Sequence, residues 1–218
     1  MTGGARPVVL AAPSGTGKTT IAHRLVEEGD DFIFSVSATT RPARAGETDG
    51  VDYEFVSRET FEALVAQGAM AEWAEVHGQY YGTPRRNLEA AARSGRHAVL
   101  DIDVQGAAQI RETVPEAVRI FILPPSGREM VRRIGLRGTE QRAEIARRLR
   151  SALRELGRAE EFHHVVVNDD LDRAVARVRT LVQDSGGMLR PEDLDERVRT
   201  LKDEIRDILS EDYADTAR

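Results

Sequence analysis

Short apolar runs alternate along this chain with longer stretches of helical spacing. The first run, Pro7 to Ala12, leads into Pro13-Ser14-Gly15-Thr16-Gly17-Lys18-Thr19-Thr20, after which Ile21, Leu25 and Val26 line one side of a helix until Gly29. That order predicts a strand, a tight glycine loop and a helix. Further apolar runs at His97 to Asp103, Ala117 to Leu123 and His163 to Asn168 are each followed by a helix-like stretch. Continuous apolar runs suit strands covered on both faces, so the pattern predicts an α/β fold with a parallel sheet and helices on both faces.

Two stretches break the rhythm and read as insertions into the sheet framework. Phe32 to Pro84 is rich in Thr, Gly and aromatics, and Arg128 to Arg158 is dominated by Arg and Glu. Thr83-Pro84 predicts a capping hydroxyl ahead of a proline at the first position of a helix that Gly95 closes, with Tyr80 to Thr83 as a loop held at the helix start. Beyond Gly187, Leu194, Val198, Leu201, Ile205 and Ile208 recur at alternating spacings of four and three. This amphipathic helical tail, residues 185–218, is too short for an independent coiled coil. It implies either a homo-oligomer contact or docking onto its own domain, residues 1–184.

Composition narrows the chemistry. Hydrophobic residues make up 40% and charged ones 31% of 218 residues, as in an ordinary globular protein. No apolar run approaches the roughly 18 residues of a membrane span, and Met1 to Pro7 lacks the apolar stretch of a secretory signal. No membrane partner and a cytoplasmic location are expected. With no cysteine, a bound metal would take oxygen ligands, which suits Mg²⁺. The net charge of −6 argues against a nucleic-acid partner. Only Lys18 and Lys202 are lysines in a chain that otherwise uses arginine.

Lys18 falls in Ala12-x-x-x-x-Gly17-Lys18-Thr19, which matches the P-loop pattern at all but its first position. Glycines there let main-chain N–H groups approach a phosphate, the lysine bridges the transferring phosphate, and the Thr19 hydroxyl ligates Mg²⁺. Ala12 departs from the usual glycine and is expected in an ordinary negative-φ conformation. The loop as a whole, Ala12, Pro13, Ser14, Gly15, Thr16, Gly17, Lys18, Thr19 and Thr20, is the candidate ATP site.

What accepts the phosphate is suggested by Ser35-Val-Ser-Ala-Thr-Thr-Arg41-Pro-Ala-Arg44-Ala-Gly-Glu-Thr-Asp-Gly50-Val-Asp-Tyr53-Glu-Phe. It resembles the GMP-binding signature of guanylate kinases. Glu72-Trp73-Ala74-Glu75, Tyr80-Tyr81-Gly82-Thr83, Leu100-Asp101-Ile102-Asp103-Val-Gln-Gly106 and Val167-Asn168-Asp169-Asp170 continue the likeness in order, over about residues 7–184. The resemblance implies a P-loop kinase core, a GMP-binding insertion at about 35–96 and a helical lid at about 126–158. The implied reaction is ATP-dependent phosphorylation of GMP, and of dGMP, with Mg²⁺.

Guanine carries donors at N1 and N2 and acceptors at O6 and N7, so a site for it wants carboxylates and hydroxyls together. By resemblance, Glu72 and Asp103 accept from the base while Ser37 and Thr83 donate to it. Arg41 and Arg44 grip the GMP phosphate with Tyr53 and Tyr81, and Asp101 supports the Mg²⁺ environment. Arg133, Arg137 and Arg148 are the lid arginines that best match. Arg137 and Arg148 join Lys18 and Arg41 as candidate catalytic groups, and Arg133 and Asn168 join the ATP site. Arg132, Arg147 and Arg150 equally suit helix-surface pairs with glutamates. Asn168 equally suits a cap on the following helix. Two other readings share these features. A non-catalytic guanylate-kinase-like module would bind a phosphoprotein but lack the P-loop lysine, and a P-loop kinase of another small phosphorylated substrate would lack the paired guanine-edge groups.

Overall fold

The computed structural model describes residues 4–76, 78–135, 141–183 and 192–216. One sheet has five strands in the order β2-β7-β1-β8-β9: β1 (Val8–Ala11), β2 (Phe32–Phe34), β7 (His97–Asp101), β8 (Val118–Leu123) and β9 (His164–Val167). β2 pairs with β7, and β8 with β9, in parallel. Every residue of β1 and β8 is buried, and apart from Arg119 in β8 these strands read as apolar runs. β2 is the strand the apolar pattern did not separate from the first insertion. Its three residues carry the chain from α1 (Lys18–Glu27) into that insertion.

The contacts divide the chain into two compact units, one of Met1–Val9 with Ala22–Val118, the other of Leu10–Ile21 with Arg119–Arg218. The first contains the insertion, which is a four-stranded sheet of its own in the order β4-β3-β6-β5. Its strands are β3 (Ala38–Thr39), β4 (Glu54–Phe55), β5 (Met70–Val76) and β6 (Gln79–Pro84). Beneath them α2 (Arg58–Ala66) buries Phe61 with Ala38 and Met70. Ser57 caps α2 by accepting from the Thr60 N–H at 3.1 Å.

Tyr80 to Thr83 is therefore strand, where the sequence predicts a loop. The expected Thr83 cap is also absent: Pro84 is the N-cap of α3 (Arg85–Arg93) and provides no side-chain hydrogen bond. The cause is cross-strand pairing. Thr83 stands opposite Glu72 in the β5–β6 ladder, and its hydroxyl donates to Glu72 Oε1 at 2.7 Å instead of turning to the helix. At the far end of α3, Ser94 is the C-cap and Gly95 follows at φ +70°, as its place in the sequence predicts. α4 (Val104–Thr113) starts from Asp103 and packs against β5.

In the second unit, α5 (Gly127–Gly135) and α6 (Arg142–Leu156) occupy the predicted lid stretch, and α7 (Leu171–Gln183) follows β9. The heptad stripe forms α8 (Leu194–Asp212), which packs against α5 and α6. Leu194, Leu201, Ile205 and Ile208 are buried there and Val198 is half-buried, so the stripe is covered within its own unit. Trimming Ile205, which is fully buried, removes packing that a frayed tail would not have. Ile205→Ala should cost about 2–5 kcal/mol of stability. In calorimetry that lowers Tm by several degrees for a chain of this size.

Candidate active site

Each unit carries one group of the expected residues. In the second unit, Gly15 and Gly17 adopt φ of +82° and +85°, in the left-handed region open chiefly to glycine. Both are also hemmed in. A Cβ on Gly15 would lie 2.7 Å from Ile134 Cγ1 and 2.9 Å from the Met130 carbonyl oxygen, and one on Gly17 would lie 2.6 Å from Asn168 Nδ2. The loop between strand and helix is thus seated on α5 and on the end of β9. Ala12 follows β1 directly and is buried.

Thr16 is the anchor. Its hydroxyl donates to the Pro13 carbonyl at 2.9 Å, and its own carbonyl accepts from Asn168 Nδ2 at 2.7 Å and Arg133 Nη1 at 3.0 Å. No described peptide is cis, and in a trans peptide the next N–H points away from the carbonyl. Holding the Thr16 oxygen therefore fixes the Gly17 N–H on the opposite side. Lys18 and Thr19 open α1, Lys18 half-buried and Thr19 and Thr20 exposed. Ser14 is half-buried beside them.

Asn168, 4% exposed, is a brace for the loop and not a helix cap. Asp170 accepts from the Arg173 N–H at the start of α7 instead. Arg133 has its three donor nitrogens engaged, with Glu129 Oε1 on Nε at 2.7 Å, Thr16 on Nη1 and the Asn168 carbonyl on Nη2 at 3.2 Å. Among the neighbouring arginines, Arg132 and Arg147 pair with Glu129 and Glu144 three residues back, whereas Arg150 reaches Thr216. Arg148 is half-buried on α6. Arg137 lies outside the described residues.

The first unit holds the candidate acceptor site. Glu72 and Thr83, 5% and 1% exposed, are joined by a buried hydrogen bond. The Thr83 hydroxyl donates to the carboxylate. Gly106 is what admits the carboxylate, because a Cβ there would stand 2.4 Å from Glu72 Oε2. Asp103 caps α4, with Oδ1 accepting from the Gln105 and Gly106 N–H groups at 2.9 and 2.8 Å. Its Oδ2 carries only a 3.4 Å contact with Gln105 Nε2, leaving that oxygen as the acceptor expected for a base.

Arg41, Tyr53 and Tyr81 are brought together as well. The Arg41 guanidinium carbon lies 5.3 Å from the Tyr53 ring centroid, and the Tyr53 and Tyr81 rings meet edge-on at 6.0 Å. Burial raises the Tyr53 phenol above its ordinary pKa, keeping it a proton donor. Arg41 is clasped by Glu47 through two hydrogen bonds of 2.8 Å, and the Arg44 N–H also donates to Glu47, at 2.7 Å. Those bonds raise the Arg41 pKa and lower that of Glu47. The Arg44 side chain is exposed, Ser37 is half-buried beside β3, and Asp101 is half-buried at the end of β7.

Sequence reasoning missed three residues here: Glu47, Glu129 and Gly106. Glu129 left a local signal, its spacing of four from Arg133 on one helix, while Glu47 and Gly106 stand within the recognised motifs without a role read for them. Among the described residues, no group of three His, Asp or Glu side chains could by itself hold a metal. Thr19 in one unit and Asp101 in the other each carry oxygen of the kind Mg²⁺ accepts.

Arg132 first, and then Arg133, hold the Glu129 carboxyl at about 2, against an ordinary 4.5. A carboxyl with a depressed folded pKa stabilises the fold above its unfolded value and loses that contribution as pH falls through the folded one. The stability difference between wild type and Glu129→Gln, read by urea unfolding, should be widest above about pH 5 and narrow steadily as pH falls toward about 2. A difference unchanged across that window would contradict the ion pair.

A sequence model described as guanylate kinase matches residues 4–185. The guanylate kinase of Oleidesulfovibrio alaskensis is 50% identical over 191 residues, covering 87% of this chain and 93% of that protein. That of Neisseria meningitidis serogroup A is 51% identical over 174 residues, covering 80% and 85%. Among solved structures, guanylate kinase from Anaplasma phagocytophilum superposes with a TM-score of 0.67 at 33% identity, covering 95% of this chain and 94% of that one. With a braced P-loop in one unit, a carboxylate–hydroxyl pair in the other and matches of this extent, the chain belongs to the guanylate kinase family.

Proposed function

We propose that this chain transfers the γ-phosphoryl group of ATP to the phosphate of GMP, releasing ADP and GDP. The observation that carries the reading is the buried Glu72–Thr83 pair, seated on Gly106, in a guanylate kinase family chain that keeps the P-loop lysine. The Glu72 carboxylate is placed to accept from guanine N1–H and N2–H, whereas adenine presents an acceptor at N1. Asp103 Oδ2 and the Ser37 hydroxyl are assigned to the same base. We assign dGMP as a second acceptor.

The GMP phosphate is its own nucleophile. It is largely dianionic at neutral pH, with a second pKa near 6, so the enzyme needs positioning and charge neutralisation more than a general base. An oxygen of that phosphate bonds to the γ-phosphorus as the bond to the bridging oxygen of ADP breaks. Arg41, Arg44, Tyr53 and Tyr81 are assigned to holding the acceptor phosphate. For Arg41 this means exchanging or sharing the Glu47 carboxylate. The main-chain N–H groups of residues 14–19 and the Lys18 ammonium take the ATP phosphates, with Arg137 and Arg148 as the candidate lid arginines. Mg²⁺, when bound through Thr19 and Asp101, would offset charge on the β- and γ-phosphates.

A cytoplasmic setting is part of the proposal. Among the described residues no helix is long and apolar enough to cross a membrane. The presence of Lys18 argues against a module that only binds phosphoproteins.

In a coupled ADP-release assay with ATP and Mg²⁺, GMP should support turnover while AMP and CMP do not, and Lys18→Ala should lower kcat roughly 100- to 1,000-fold. No ADP release with GMP from folded protein would sink the reading. Gly106→Ala would push the Glu72 carboxylate from its seat. It should raise KM for GMP roughly tenfold or more while leaving KM for ATP near wild type, and equal effects on both constants would contradict the assigned role.

A further inference from the structure

The apolar stripe of α8 accounts for its docking but not for the polar contacts that accompany it. Glu204 reaches to the first residue of α5, where Oε2 accepts from the Gly127 N–H at 2.5 Å. That N–H belongs to the set a helix start leaves without an intrahelical partner, and the carboxylate also meets the positive end of the helix. The approach depends on glycine, since a Cβ on Gly127 would lie 3.1 Å from Glu204 Cβ. Lys202 approaches the other lid helix at its opposite end. Its Nζ lies 3.1 Å from where a Cβ on Gly157, the C-cap of α6, would stand, so the ammonium faces the negative end of a helix.

Two further contacts continue this pattern past the end of α8. The Arg142 guanidinium carbon of α6 sits 5.1 Å from the Tyr213 ring centroid, and Arg150 Nη2 donates to the Thr216 carbonyl at 3.1 Å. One helix, beyond the family match that ends at residue 185, thus holds α5 by its start and α6 by its end. α5 is the wall on which the phosphate loop sits: Met130 and Ile134 crowd Gly15, and Arg133 holds the Thr16 carbonyl.

We propose that α8 is a strap that sets the geometry of the ATP site from outside, with Glu204 as its positioning residue. By fixing the first turn of α5, Glu204 fixes the height of Met130, Arg133 and Ile134 against the loop. The proposal rests on the assignment of ATP to residues 12–20. It makes ATP affinity sensitive to a carboxylate in the tail while GMP affinity is not.

The test uses the full chain with Glu204→Ala, Glu204→Gln and, as a separate arm, Lys18→Ala. KM for each nucleotide is read at 25 °C beside Tm. Glu204→Ala should raise KM for ATP about three- to tenfold, the effect of losing a helix cap, with KM for GMP within about twofold of wild type. Glu204→Gln keeps an acceptor oxygen without the charge and should fall between the two. Should the alanine variant not fold, the glutamine variant alone decides, on whether KM for ATP rises without KM for GMP. A lower Tm with KM for ATP unmoved, or both constants rising together, overturns the strap. If Lys18→Ala turns over like wild type, the ATP assignment fails and the strap with it; a strap that fails alone leaves the Lys18→Ala loss intact.

Discussion

The Thr16 carbonyl is held by two donors from distant parts of the chain, Asn168 Nδ2 and Arg133 Nη1. Because the peptide is planar and trans, this fixes the orientation of the next N–H as well. A phosphate-binding loop needs that order, since its main-chain donors contribute most when they are aligned before the ligand arrives and lose little freedom on binding. The surroundings follow from the same need. Glycines at positions 15 and 17 take the positive φ values and leave room for the side chains pressed against them. Glu129 holds Arg133, and α8 in turn holds α5.

The acceptor unit solves a different problem, which is to keep charged groups ready without leaving them unpaired. Glu72 is buried, and its carboxylate accepts from the Thr83 hydroxyl and lies close over Gly106. Arg41 is less buried and is held by Glu47 and the aromatic faces of Tyr53 and Phe55. An arginine neutralised by a nearby carboxylate keeps its position and can exchange that partner for phosphate, because both ligands present two oxygens to the same planar fork.

The P-loop and the main parallel strands were legible because each has a local signature: the spacing of Gly17, Lys18 and Thr19, and apolar runs with no polar alternation. What escaped detection was decided across the chain. Thr83 has the right place and chemistry for a helix cap, yet its register partner on the facing strand claims the hydroxyl. Gly106 looks like any helix glycine until a carboxylate 34 positions earlier is found where its side chain would be. Glu47 lies in a loop whose spacing gives no period to read. The tail's stripe was visible as a stripe, but two destinations fit it equally until the apolar faces of α5 and α6 were seen beneath it.

The alignment of the loop amides is the claim that can be measured most directly. In ¹⁵N-labelled protein titrated with Mg²⁺ and a non-hydrolysable ATP analogue, the amide resonances of Gly15 to Thr19 should move most, and Asn168→Ala should need more analogue to reach the same shift. Saturable binding of the analogue that leaves those amides in place, or an Asn168→Ala titration that overlays the wild type, would contradict the account.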